Sequence, residues 1–265
     1  MQSLSKATTV EQNPVGMWSR WLRRPKSTWI RKLVFQLHLW SGILLGFYAV
    51  VVCASGSAIV FRNDLYDWLE AGGKNVSYKA TLYHWMSWLG KLHGSLLMEG
   101  SGMTANAIGG FLIAALCLTG IIVWWPGLGN WRRAMTIYTK VGWKRLVFDV
   151  HSAVGFWTFA VLLMWGLTGG YFVFPQPFRA VISFFTPITA PAFQPGRGLV
   201  RRPVTLGTRI LRGFSYAHYG NFGGWEIKLL WLILGLAPAV LFTTALVMWY
   251  SRVLVPAMRR WRKVS

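Results

Sequence analysis

A twelve-residue pattern occurs twice in the chain, as RKLVFQLHLWSG at residues 31–42 and as KRLVFDVHSAVG at residues 144–155. A shift of 113 residues superposes the two copies and brings His38 onto His151. Further positions matched at this shift are Gly42 with Gly155, Ser55-Gly56 with Thr168-Gly169, and Phe61 with Phe174. Self-similarity at a fixed shift indicates an internal structural repeat.

A second match, at a shift of 125 residues, extends the repeat and brings His93 onto His218. Other positions matched at this shift are Gly110 with Gly235, Thr119 with Thr244, Trp124 with Trp249, and Trp125 with Tyr250. The two repeats therefore run from about 31–125 and about 144–250. Chance similarity between apolar stretches is a weak explanation, because four of the five histidines in the chain match in register.

Composition places these repeats in a membrane. The chain of 265 residues is 54% hydrophobic and only 13% charged, with a mean hydropathy of +0.40. Soluble domains carry about 25% charged residues, which argues against an ordinary cytosolic enzyme, and the apolar content excludes intrinsic disorder. A bilayer core is crossed by about 20 helical residues. Four stretches are long and apolar enough, at residues 33–61, 105–125, 146–174 and 227–250.

We therefore predict an all-α membrane protein, a four-transmembrane-helix bundle made of two parallel two-helix repeats. Each repeat crosses the membrane twice, so both copies keep the same topology and a pseudo-twofold axis along the membrane normal relates them. Pro126 and Pro256 are expected to end the second and fourth helices.

The charge distribution predicts the orientation of the bundle. The formal net charge is +21, from 28 Lys and Arg against 7 Asp and Glu. These basic residues flank apolar spans, so we expect a membrane protein and no nucleic-acid partner. Seventeen of them lie before the first span, between the second and third, and after the fourth. The positive-inside rule then makes both termini cytoplasmic, although the last outer loop is also basic.

Three regions follow from this topology. Residues 1–30 form a cytoplasmic basic N-terminal segment, and residues 253–265 form a cytoplasmic basic tail. Residues 31–252 form the four-helix transmembrane domain that holds the paired histidines, with outer loops at about 62–104 and 175–226.

The matched histidines form two pairs. A twofold axis places equivalent residues opposite each other, so His38 faces His151 on the cytoplasmic side and His93 faces His218 on the outer side. One imidazole from each of two helices suits bis-histidine ligation of a b-type haem, which leaves no open iron site and favours electron transfer. The outer pair precedes its apolar spans by about ten residues. We expect it near the water interface, about 20–30 Å from the inner pair.

Other roles for these residues remain open at this point. A histidine near a membrane boundary is commonly interfacial or hydrogen-bonded. A zinc or non-haem iron site usually takes three or four ligands, and only Asp149 offers a carboxylate near a span. A proton relay would need further ionisable residues between the two levels. His84 has no repeat partner and is expected to be exposed in the outer loop. Gly42, one turn beyond His38, serves either the approach of a macrocycle or helix contact.

Several blocks of the chain resemble one known family. The blocks are LHLWSG at 37–42, FRNDL at 61–65, LHGSLL at 92–97, WWP at 124–126, DVHSAVG at 149–155, HYGNFGG at 218–224 and LGLAP at 234–238. Together they are similar to the PepSY-associated transmembrane proteins, over about residues 30–252.

This resemblance implies a multi-pass protein of the bacterial inner membrane with two haem b groups. One haem would be ligated by His38 and His151 and the other by His93 and His218, consistent with the repeat. The family includes di-haem ferric-siderophore reductases, so the resemblance also implies electron delivery across the membrane to a ferric chelate. The outer loops of this chain leave no room for the full PepSY domains of longer members.

The leading hypothesis is an inner-membrane di-haem b cytochrome, an oxidoreductase that reduces a periplasmic ferric siderophore or other ferric chelate to release iron. Its expected partners are membrane lipid, the chelate, and a cytoplasmic or quinol electron donor. One alternative is an electron-transfer subunit that serves a partner protein, and another is a non-redox membrane accessory protein. Arginines of the last outer loop that could attract an anionic chelate are Arg179, Arg197, Arg201, Arg202, Arg209 and Arg212.

Overall fold

The computed structural model describes residues 21–22, 28–71, 76–189, 192–194, 198–200 and 203–262. Its helices are α1 Trp29–Ile59, α2 Arg62–Ala71, α3 Val76–Ser95, α4 Gly102–Trp124, α5 Trp131–Ala134, α6 Trp143–Val173, α7 Pro175–Phe185, α8 Leu206–Tyr219, α9 Trp225–Gly235, α10 Ala237–Trp249 and α11 Val255–Trp261. A π-helical turn, Tyr250–Leu254, joins α10 to α11. Strands β1 Ala192–Gln194 and β2 Gly198–Val200 pair antiparallel, with Phe193 opposite Leu199.

Four helical segments within the described residues are long and apolar enough to cross a membrane, namely Trp29–Ala71, Gly102–Trp124, Trp143–Val173 and Trp225–Trp261. The expected helical membrane fold is thereby confirmed. Helices suit a bilayer because they pair every backbone N–H and C=O internally. The repeat-equivalent helices α1 and α6 both contain 31 residues. That length gives about 46 Å of helix, more than a core of about 30 Å.

The four long segments pack in a ring. Helix α1 contacts α4 and α10, and α6 contacts the same two helices. Helices α1 and α6 therefore lie on one diagonal of the bundle, and α4 and α10 lie on the other. The two sequence shifts relate these same diagonal pairs. Equivalent helices thus face each other across the interior, as a pseudo-twofold axis requires.

Glycines bring the helices into backbone contact at equivalent places in the two repeats. A Cβ on Gly110 would lie 2.9 Å from the carbonyl oxygen of Gly166, and one on Gly235 would lie 3.2 Å from that of Cys53. Gly110 matches Gly235 in the sequence, and Cys53 matches Gly166. Small residues at such crossings let membrane helices pack closely. The repeat is therefore present in the tertiary contacts as well as in the sequence.

The fourth span differs from expectation in two places. It divides at Leu236, before Pro238 in the first turn of α10, where a missing proline N–H costs no helical hydrogen bond. The expectation that Pro256 ends this helix is wrong. The chain continues through the π-helical turn into α11, which holds Pro256 in its first turn. Pro126, by contrast, does follow the end of α4 at Trp124.

The ring has two different ends. The terminal end carries the start of α1, helix α5 and helix α11, and there Arg31 Nη2 donates to the carbonyl of Val123 at 2.6 Å. The loop end carries α2, α3, α7, α8 and the hairpin. Much of both loops is helical, and α3 and α8 fold back against α1 and α6. Residues from both loops are thereby brought against the bundle.

Candidate functional site

The terminal-end pair, His38 and His151, lies on the diagonal helices α1 and α6. His38 Nδ1 is 3.1 Å from Thr119 Oγ1, and His151 Nδ1 is 2.9 Å from Thr244 Oγ1. Thr119 and Thr244 are matched positions in the repeat. The structure therefore places each histidine of this pair against the equivalent threonine of its own repeat.

These contacts fix which ring nitrogen carries the proton. The Thr119 hydroxyl donates to the carbonyl of Leu116 at 2.9 Å, and the Thr244 hydroxyl donates to that of Val240 at 2.7 Å. Each hydroxyl has one proton, so its oxygen must accept from the histidine. Nδ1–H is then the donor in both rings, and each Nε2 keeps a free lone pair, the form in which imidazole binds metals.

The loop-end pair, His93 and His218, lies on α3 and α8, with ring centroids 6.1 Å apart and planes at 54°. His93 Nδ1 donates to the carbonyl of Val52 at 2.8 Å. His218 Nδ1 is 2.8 Å from the Thr168 hydroxyl, which donates to its own helix at the carbonyl of Met164. Both rings are therefore protonated on Nδ1, as in the terminal-end pair. No hydrogen bond reaches Nε2 of any paired histidine within the described residues.

This pair lies deeper than its spacing from the spans indicates. Val52, which holds His93, is seven residues before the end of α1 at Ile59, or about 10 Å inside it. The reason is that α3 folds back along α1 after the first span. Fourteen residues of α1 separate His38 from Val52, which is about 21 Å along the axis and the lower end of the expected range.

Two side chains that the sequence reasoning missed hold the ends of α3 and α8. Asn106 Nδ2 donates to the carbonyl of His93 at 2.7 Å, and Trp231 Nε1 donates to that of Ala217 at 2.9 Å. The last carbonyls of a helix have no partner within it, so these bonds cap the two helices. Asn106 and Trp231 match at the shift of 125. This match in the repeat was the only sequence signal for their shared role, and it is weak because asparagine and tryptophan differ in size and polarity.

The turn after His93 is strained, whereas its counterpart after His218 is not. Leu96 and Leu97 adopt φ values of 54° and 59°, in the left-handed region that costs a side-chain-bearing residue about 1–2 kcal/mol. In the second repeat the left-handed residue is Gly220, with φ 69°, where this cost is absent.

A cavity of about 830 Å³ contains both rings of the loop-end pair. This volume lies within the range of small-molecule and cofactor sites, about 300–1,000 Å³. Gly56 makes room for one ring, since a Cβ on it would lie 2.7 Å from Cε1 of His93. The matched Gly169 faces His218, but a Cβ there would lie 3.8 Å from Cε1, an ordinary van der Waals distance. Both glycines therefore face the histidine of their own repeat, and only at Gly56 does the ring exclude a side chain.

Burial controls the protonation of the loop-end pair. It lowers the pKa of His93, and together with the nearby His93 ring it lowers the pKa of His218 to about 3. Both rings are consequently neutral at neutral pH, with Nε2 available as a ligand.

The ring spacing of the loop-end pair suits a metal ion held between two imidazoles. The described residues contain no group of three or more His, Cys, Asp or Glu side chains that could hold a metal ion, so each pair offers two imidazoles. Two metal–imidazole bonds of about 2.0–2.1 Å, with the radii of the rings, separate ring centroids by about 6 Å. The observed separation of 6.1 Å fits this span. At the loop-end pair, the two imidazoles and their spacing therefore fit the residues that would hold a haem.

The glycines near the terminal-end pair are not in tight helix contact. A Cβ on Gly42 would lie 3.8 Å from Leu116 Cδ1, and one on Gly155 would lie 3.6 Å from Leu241 Cδ2. Both are ordinary van der Waals distances, so close helix contact does not require glycine there.

The remaining candidate residues lie outside the cavity. His84 is exposed, as expected, and lies on α3 beside Trp85. Asp149 is buried and pairs with Arg145 at 2.8 Å. The loop arginines Arg179, Arg209 and Arg212 are exposed and do not line the cavity, whereas Arg197, Arg201 and Arg202 lie outside the described residues. The basic residues that do line it are Arg62, Lys91 and Lys228.

Fold and site together define a polytopic helical membrane protein with two histidine pairs inside a duplicated four-helix bundle. The family model of the PepSY-associated TM region matches residues 71–252, well over half of the chain, and the protein belongs to this family. The chain is also 32% identical over 81 residues to the uncharacterized protein PA4219 of Pseudomonas aeruginosa. That alignment covers 29% of this chain and 19% of the relative, so this chain spans about a fifth of the relative's length.

Proposed function

We propose that this protein is a di-haem b cytochrome that moves electrons across the bacterial inner membrane. The observation that carries the proposal is the state of the four paired histidines. Each holds its Nδ1 proton in a hydrogen bond and turns a free Nε2 lone pair away from its holder. His38 and His151 would hold one haem, and His93 and His218 the other. Bound haem iron supplies one-electron redox chemistry.

The protein's own residues prepare these sites. Three threonine hydroxyls accept a hydrogen bond from Nδ1–H of a histidine, namely those of Thr119, Thr244 and Thr168. These bonds orient three of the imidazoles and raise their basicity as ligands. The carbonyl of Val52 does the same for His93. If each histidine pair held a haem iron with both imidazoles, no coordination position would be left for oxygen, and the iron would be restricted to electron transfer.

The direction of transfer follows from charge. Basic residues cluster at the terminal end, and the positive-inside rule makes that end cytoplasmic, with both termini. The terminal-end pair would then receive electrons from a cytoplasmic or quinol donor. The loop-end pair would deliver them to a periplasmic ferric siderophore or other ferric chelate. One electron converts Fe³⁺ to Fe²⁺, which hard oxygen ligands hold less tightly, and iron is released.

The absorption spectrum tests the cofactor directly. Protein purified after haem-supplemented expression should show Soret and α bands and about two haems per chain. His38→Ala and His93→Ala should each remove about half of the haem, whereas the matched control His84→Ala should remove none. A colourless protein, or full haem content in both variants, would contradict the proposal.

Reoxidation then tests the substrate. Ferric chelates should reoxidise the dithionite-reduced protein and yield Fe²⁺ that a ferrous-specific dye traps. Haem-loaded protein that chelates fail to reoxidise would instead fit an electron-transfer subunit that serves a partner.

A further inference from the structure

The mouth of the loop-end cavity carries an excess of positive charge. We define the cavity mouth as Arg62, Asn63, Lys91, Asn221 and Lys228, the basic and exposed amide side chains that line the cavity. Three of these are cations, and no Asp or Glu is among the described residues that line the cavity.

Most of this charge is left without a counterion. Lys228 pairs with Asp64, but no carboxylate lies within salt-bridge distance of Arg62 or Lys91 in the described part of the chain. The nearby acids lie elsewhere. Asp67 and Glu70 approach Tyr83, and Glu99 and Glu226 are exposed outside the cavity lining. Arg62 and Lys91 are themselves exposed, so both are free to meet a ligand.

The geometry of the mouth concentrates the effect of these two charges. Arg62 lies over α3, where a Cβ on Gly90 would be 3.6 Å from its Nη1, and Lys91 is the next residue of that helix. Both therefore stand on the side of the cavity that carries His93. Low-dielectric walls focus the field of a charged rim and raise the local concentration of oppositely charged ligands.

We infer that the cavity mouth docks an anionic ferric chelate, one that presents ionised carboxylate or catecholate oxygens, in preference to an uncharged trihydroxamate complex. This inference rests on the proposed function and adds its substrate class. The step is a single electron transfer. The reduced protein gives one electron to the Fe³⁺ chelate, which becomes the Fe²⁺ chelate, and the oxidised protein regains the electron from its quinol or cytoplasmic donor. No bond within the chelate's organic ligand breaks in this step. A quinol donor would give up two electrons and release two protons, and so would serve two such transfers.

The test compares two double variants of the full-length, haem-loaded protein. Arg62→Gln with Lys91→Gln removes the two unpaired cations of the mouth. Arg179→Gln with Arg209→Gln removes two exposed cations that do not line the cavity, and serves as the matched control. Ferric citrate is the anionic probe, and a ferric trihydroxamate without net charge is the neutral one.

We expect the mouth variant to raise the KM for ferric citrate about fivefold or more, with kcat, haem content and the KM for the neutral chelate unchanged. The control should match the unmodified protein. Equal effects on both chelates, or equal effects of both double variants, would overturn the inference. So would haem loss in the mouth variant, because Arg62 and Lys91 would then be holding haem propionates.

A binding measurement separates this inference from the proposed function. Gallium citrate resembles ferric citrate but accepts no electron, so its equilibrium binding does not depend on redox activity. Weaker binding to the mouth variant than to the control would support the docking site even if the protein reduces no chelate. Equal binding to both would overturn it.

Discussion

Each paired histidine is held at one ring nitrogen, because its Nδ1–H donates to an oxygen of a neighbouring helix in both repeats. Three of the four holders are threonines whose hydroxyls already donate to their own helices. A threonine in that state can only accept, so it selects the Nδ1–H tautomer. The tautomer of each paired histidine is therefore determined by an acceptor on a neighbouring helix.

Replacing Thr119 by Val keeps the side-chain shape and removes the acceptor for His38 Nδ1–H. We expect the affinity of the terminal-end pair for haem to fall about 10–100-fold, with the loop-end pair unchanged. Titration of apo-protein with haemin, followed by absorbance, measures this. Thr158→Val is the matched control, because Thr158 is buried and donates only to Val154 of its own helix. Equal losses in the two variants would contradict the role of Thr119.

Gly42→Ala tests whether this glycine clears space for a macrocycle. The added Cβ meets nothing closer than 3.8 Å, so we expect the apo-protein to be as stable as before, or more stable by about 0.5–1 kcal/mol. Haem affinity at the terminal-end pair should nevertheless fall. Thermal unfolding of the apo-protein and haemin titration measure the two effects. In the control Gly213→Ala, where the Cβ meets nothing within 4 Å, haem affinity should not change.

Among individual residues, the register of the repeat predicted which histidines pair, because it places equivalent residues opposite each other. It did not predict their holders. Thr119 and Thr244 were matched positions without an assigned role, and Val52 acts through its backbone, which no residue pattern reveals. Asn106 and Trp231 share a function through an N–H donor, although their side chains differ in size and polarity.

Among the elements, α3 and α8 determine how deep the loop-end pair lies. Their return against the bundle could not be predicted, since neither has the long apolar run that marks a span. The four spans themselves were predictable because bilayer thickness sets their length. The prediction that Pro256 ends the fourth span was wrong, because proline is tolerated in the first turn of a new helix.

The turns that follow these two helices should respond oppositely to substitution. Leu97 is 45% exposed and left-handed, so Leu97→Gly should stabilise the protein by about 1 kcal/mol by removing the Cβ conflict. Leu97→Ala keeps the Cβ and should give no such gain. Thermal unfolding in detergent measures both, and an equal gain from Ala and Gly would exclude backbone strain as the cause.

Gly220→Ala is the reciprocal change in the second repeat. Its added Cβ would be left-handed and 3.2 Å from the Trp231 ring, so we expect a loss of about 1–2 kcal/mol. The same unfolding measurement applies. An unchanged midpoint would show that the turn can relax.

In the whole molecule, the order of the four helices around the ring agrees with the repeat. The orientation of the bundle in the membrane is predicted only by the distribution of charge. A cysteine-free background, with Cys53 and Cys117 replaced by Ala, allows a labelling test. His84→Cys at the loop end should react with a membrane-impermeant maleimide in intact spheroplasts, and Arg132→Cys at the terminal end should react only after lysis. The reverse pattern would invert the proposed direction of electron flow.

The spacing of the two histidine levels has an energetic consequence for the electron transfer we propose. They lie about 21 Å apart along α1, in a hydrocarbon layer of about 30 Å. A charge crossing the whole layer exchanges about 2.3 kcal/mol with the membrane potential for every 100 mV. An electron leaving a negatively charged cell interior moves down that potential over most of this distance. An energised membrane would therefore drive iron reduction outside the cell, and depolarisation would slow it without any change in the protein.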